Sequence, residues 1–93
     1  MKSFTIEYQH ISPVDINNFS DVEISMGNNG ITDFFDGAIY FWRLYIVDGA
    51  GDRFYFDEVY SGETAEKYRE KLLEVIKSGK KLLRPKDFSE FHR

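Results

Sequence analysis

Few residues in this 93-residue chain can do chemistry by themselves. There is no cysteine, which removes disulfides, thiolate metal sites and cysteine nucleophiles together. The two histidines, His10 and His92, stand near opposite ends of the chain and fit no ligand spacing for a shared metal. The loop Asp48-Gly49-Ala50-Gly51-Asp52 lacks the twelve-residue ligand pattern and terminal glutamate of a calcium loop, and reads as a hairpin turn. Asp33, Asp36 and Asp57 could cluster, and paired carboxylates can carry acid–base chemistry. A turn role suits Asp33 and Asp36 better, because aspartate side chains bond their own backbone in turns. A small sheet with one helix is also expected to lack the depth for a substrate pocket of roughly several hundred Å³. No phosphate loop, dinucleotide fingerprint or serine elbow is present. The sequence therefore predicts no enzyme, no cofactor and no metal site.

The elements follow from hydrophobic periodicity. Nine Phe, six Tyr and one Trp make 17% of the chain aromatic, too much for a disordered segment. The length fits one domain, 1–93. Ser3 to Ile11 alternates as a half-buried strand that Pro13 ends. Residues 15–19 read as a polar connection able to hold a helical turn. Asp21 to Met26 alternates again, and Gly27-Asn28-Asn29-Gly30 is a strong hairpin signal leading to a short returning strand over 31–35. Ala38 to Val47 is apolar on both faces, with Tyr40, Trp42, Leu44 and Ile46 on one side and Ile39, Phe41, Tyr45 and Val47 on the other. Arg53 to Tyr60 returns beside it. Placing Val47 opposite Arg53 pairs Tyr45 with Tyr55, Arg43 with Asp57 and Phe41 with Val59.

Ser61 or Thr64 caps a helix whose stripe is Ala65, Tyr68, Leu72, Val75 and Ile76, and Gly79 sits where a left-handed cap is expected. Lys80 to Arg84 suits a short edge strand, and 85–93 a last helical turn with Phe88 and Phe91 inward. The predicted fold is α+β: a small antiparallel sheet of four to five strands, a meander of hairpins, with one long C-terminal helix on one face.

One helix covers one sheet face, so the other face is expected to present Phe41, Tyr45, Tyr55 and Val59 around an Arg43–Asp57 pair. A contiguous exposed patch of tyrosine and arginine matches the composition of protein interfaces. Cover by the N-terminal segment, the 12–19 connection or the C-terminal tail is the competing expectation.

Charge is uneven. Residues 1–63 hold three basic against eleven acidic side chains, and residues 64–93 hold nine against five. An acidic half with aromatics disfavours nucleic acid, whose phosphates dominate binding, and suits a basic protein. The chain begins without an apolar run of signal-peptide length and contains no stretch near the ~20 residues of a membrane span. The expectation is a cytoplasmic, acidic protein-binding module, an inhibitor or neutraliser of a basic partner. Immunity proteins, antitoxins and phage anti-defence proteins share that profile. Phe41, Arg43, Tyr45 and Tyr55 would be anchors, with Asp48, Asp52 and Asp57 as steering charges. The alternative is a homodimer packed through the aromatic face.

Overall fold

The computed structural model describes residues 2–28 and 40–92. Its elements are β1 (Phe4–Ile6), β2 (Val14–Ile16), β3 (Asp21–Asn28), β4 (Tyr40–Val47), β5 (Arg53–Val59), α1 (Gly62–Lys77) and β6 (Leu82–Leu83), followed by a 3-10 segment, Pro85–His92. The expected returning strand over 31–35, Asp33 and Asp36 lie outside the described residues, as do positions 29 and 30 of the expected turn.

The fold is α+β, but among the described residues the single meander is replaced by two three-stranded sheets. The antiparallel sheet runs β3-β4-β5, and the mixed sheet runs β2-β1-β6, with β1 antiparallel to β2 and parallel to β6. The split is made at Asn18, whose backbone adopts φ 57°. Asparagine tolerates this left-handed conformation better than most residues. It turns the chain between β2 and β3, and Ser20 and Gly49 then tie the turn to the β4–β5 end through backbone hydrogen bonds. Residues 14–16, read from sequence as part of a connection, form a strand instead. Three residues are too short to show a period, and their pairing with β1 decides the matter.

One core joins both sheets. Ile6, Ile16 and Leu83 from the mixed sheet meet Val22, Leu44, Ile46 and Phe56 from the antiparallel sheet, with α1 contributing Ala65, Tyr68, Leu72 and Ile76. Each such side chain contributes about 1.5–3 kcal/mol of burial free energy before ordering costs. Val75 stays half-buried at the margin of the stripe. α1 begins at Ser61, whose hydroxyl accepts the Thr64 amide. It ends at Gly79, φ +91°, whose amide donates to the Ile76 carbonyl. No atom crowds a side chain at position 79, so backbone conformation alone sets the effect of substitution. Gly79→Ala is expected to cost about 1–2 kcal/mol, read as a lower urea midpoint at unchanged slope.

The C-terminal segment behaves as the sequence predicts. Phe88 is buried, Phe91 packs on the core, and both rings stack on Tyr68, at 5.5 and 4.5 Å between centroids. This aromatic stack holds the tail on the helix side of the antiparallel sheet. No helix among the described residues is long and apolar enough to cross a membrane.

Candidate functional site

β4 and β5 pair as expected from the loop outward, Val47 with Arg53 and Tyr45 with Tyr55, and then slip. Beyond Tyr45 the partners become Leu44 with Asp57, Arg43 with Glu58 and Trp42 with Val59. Phe56 is the extra residue of a β-bulge. The cause is visible in the core. Positions 56 and 59 have opposite parity in a regular strand, yet both side chains are buried here, at 1% and 2% exposure. A bulge turns both inward. Two sequence expectations are corrected by it. Val59 belongs to the core, not to the second face. Asp57 faces the helix, and Arg43 pairs with Glu58 instead.

The remaining residues of the predicted patch do come together on the face away from α1. Arg43 lies over the Phe41 ring at 4.5 Å, and its Nε is 3.3 Å from Glu58 Oε1. Arg53 lies over Tyr45 at 4.4 Å and reaches Glu23 at 2.9 Å. Tyr45 meets Tyr55 edge to face at 6.2 Å. Phe41 rests on Gly27, where an added Cβ would stand 2.8 Å from the ring; the absent side chain makes the seat for the aromatic. The result is a ladder of alternating rings and guanidinium groups. Arg43, Arg53 and Tyr55 remain open to solvent, at 45% and 49% for the two arginine side chains, while Phe41 and Tyr45 are half-buried beneath them. The expected covers lie elsewhere: the N-terminal segment is in the mixed sheet and the tail is on Tyr68.

Each edge strand of this sheet is bonded by side chains beside the ladder, β3 at Val22 and β5 at Tyr55 and Glu58. On β3, Asp21 accepts the Val22 amide while Arg69, paired with Asp21 at 2.9 Å, donates to the Val22 carbonyl. On β5, Asp57 accepts the Glu58 amide, and the Tyr8 hydroxyl donates to the Tyr55 carbonyl. Occupied edge groups resist strand addition.

The steering aspartates divide. Asp52 is exposed on the hairpin loop. Asp48 is half-buried and accepts the amides of Ala50 and Asp52, so it shapes that loop. Asp57 accepts from Tyr68 Oη, from His92 Nε2 at 2.8 Å and from the Glu58 amide. It is an internal acceptor, with 13% side-chain exposure. His10, the other histidine, is exposed after β1.

Burial also sets the tyrosine acidities. Desolvation first, then the negative charges of Glu58 and Asp57, push the Tyr55 phenol up to about 12. Tyr68 is held still higher, by burial and then by its bond to Asp57, and burial raises Tyr8. A phenol whose folded pKa lies above its unfolded value, ~10, leaves stability intact below that value. Above it the unfolded chain binds fewer protons, so stability falls as pH rises. Unfolding free energy is therefore expected to hold up to pH about 10 and decline above it. Phenolate absorbance in the native protein should lag the unfolded chain over the same range.

A partly open cavity of about 310 Å³ lies between the chain after β1 and the 3-10 segment. Comparison with protein-family models, curated proteins and solved structures gives no match.

Proposed function

We propose that this chain is an intracellular protein-binding module that uses the β3–β5 face to inhibit or neutralise a basic partner protein, in the manner of an immunity protein, an antitoxin or a phage anti-defence protein. The observation that carries this reading is the ladder in which the exposed Arg43 and Arg53 are already stacked on the half-buried rings of Phe41 and Tyr45. Arginine and tyrosine dominate binding hot spots. Side chains fixed before contact lose less entropy on binding.

Charge supports a basic partner. Glu23 and Glu58 are balanced by the two arginines, and Asp21 and Glu7 by Arg69 and Arg84, leaving the exposed Asp52 and the net charge of −4 to draw in positive charge. Asp52→Lys is expected to slow association and leave dissociation nearly unchanged, as measured by stopped flow with the partner.

The test begins with solution mass by light scattering over a concentration series, for the parent chain and Tyr45→Asp. A monomer is expected in both. A parent dimer that Tyr45→Asp converts to folded monomer would assign the face to self-association and sink the basic-partner reading. Affinity capture with the two proteins side by side follows. The expected result is a basic protein retained by the parent alone and inhibited by a stoichiometric amount of it. Equal retention by Tyr45→Asp would remove the face from the interaction.

A further inference from the structure

β3 stands at a sheet edge, eight residues from Asp21 to Asn28 bonded to β4 alone. Its register with β4 is regular throughout. In such an antiparallel pair alternate residues bond the neighbour and those between them point their backbone groups outward. Val22 shows which set points out, since its amide is taken by the Asp21 carboxylate and its carbonyl by Arg69. The outward set continues with Ile24 and Met26, whose amides and carbonyls have no partner among the described residues.

The other edges are bonded or short. On β5, Tyr8 and Asp57 hold the Tyr55 carbonyl and the Glu58 amide, and β2 and β6 are three and two residues long. Native edges are blunted by lysine, proline or a bulge. Ile24-Ser25-Met26 carries none of these, and Met26 stands 60% exposed beside the open groups.

The pleat states what fits there. Ile24 and Met26 share the α1 side with the buried Val22, and residues of an added strand directly opposite them point the same way. Aliphatic side chains at those positions would cover Met26. Charge then chooses between occupants. β3 carries Asp21 and Glu23 and no basic side chain, and Glu66 lies exposed on α1, one turn before Arg69. A second copy would bring the same acidic strand and a further net charge of −4, which repels. We propose that the edge of β3 at Ile24 and Met26 binds an extended segment of another protein by antiparallel strand addition, with aliphatic residues opposite Ile24 and Met26 and basic residues flanking them. The site is separate from the arginine–aromatic face and does not depend on that face having a partner.

The test is titration of the ¹⁵N-labelled full chain with the capped peptide Lys-Val-Thr-Val-Lys. It runs beside the same peptide N-methylated at both valines and beside Glu-Val-Thr-Val-Glu. Saturable shifts of the Ile24 and Met26 amides, with slower hydrogen exchange at both, are expected with the basic peptide. N-methylation removes the two donors aimed at β3 and should weaken binding about tenfold or more, the effect of two lost hydrogen bonds. The acidic peptide should bind more weakly as well. Met26→Pro removes an outward amide without touching the bonds to β4 and should weaken the basic peptide, whereas Tyr45→Asp should leave it unchanged. The proposal is overturned by no saturation with the basic peptide, or by equal binding of the N-methylated or acidic one. Undiminished binding by a Met26→Pro chain whose β4 and β5 amides keep their positions would overturn it too. So would concentration-dependent protection of the Ile24 and Met26 amides without peptide, which would give the edge to a second copy.

Discussion

Tyr68→Ala is expected to lower the free energy of unfolding by about 3–5 kcal/mol, the range for deleting a buried aromatic side chain. The ring is fully buried. It stacks on Phe91 and Phe88 and meets Phe56 edge to face at 6.2 Å. Those contacts come from β5 and the tail, so the deletion empties the point where the tail is fastened. A small domain holds about 5–15 kcal/mol in total, so the variant should lose a large fraction of its stability. Tyr68→Phe keeps the stack and removes only the hydroxyl and its bond to the Asp57 carboxylate, at an expected cost of about 1.5–3 kcal/mol. Urea denaturation of the three proteins measures both values. An alanine variant within about 1 kcal/mol of the parent, below the 3–5 kcal/mol range, would mean that the stack is not part of the cooperative core.

Asp57→Ala is the second large effect, at about 2–4 kcal/mol, because bonds to a charged acceptor and an orphaned buried donor both count. The Tyr68 hydroxyl loses its partner, and the Glu58 amide and His92 lose theirs. The comparison with Asp52→Asn is diagnostic, since Asp52 is exposed on a loop and should change stability by less than about 0.5 kcal/mol. From the sequence the two aspartates look alike. A coupling near zero between Asp57→Ala and Tyr68→Phe in a double-mutant cycle would contradict the shared bond. The same variant should free the tail end, seen as faster hydrogen exchange over residues 85–92 with β3 and β4 protected.

These expectations rest on features of unequal legibility. The α1 stripe, the Gly79 stop and the inward Phe88 follow from local spacing, because a helix writes its period and its ends into adjacent residues; spacing leaves the cap between Ser61 and Thr64, and the Thr64 amide donating to the Ser61 hydroxyl decides it. The loop-proximal pairs, Tyr45 with Tyr55 and Val47 with Arg53, follow from the hairpin turn. The predicted anchors Phe41, Arg43, Tyr45 and Tyr55 therefore share one face. Arg53 and Glu23 complete the ladder and were missed. The alternation of Asp21 to Met26 puts Glu23 on the polar side, but only the strand order sets it beside Arg53.

The sequence by itself determined the helix, its two ends, the central hairpin and the aromatic, acidic character of the first two-thirds of the chain. All of these depend on neighbours within a few residues. The tertiary structure decided the rest: the division into two sheets at Asn18, the bulge at Phe56, the passage of Val59 and Asp57 to the helix side, and the cavity beside the tail. Each depends on which distant surfaces compete for the same core. A one-residue slip is nearly invisible in a strand's local pattern but reverses every side chain beyond it. Burying both Phe56 and Val59 against α1 chose the slip.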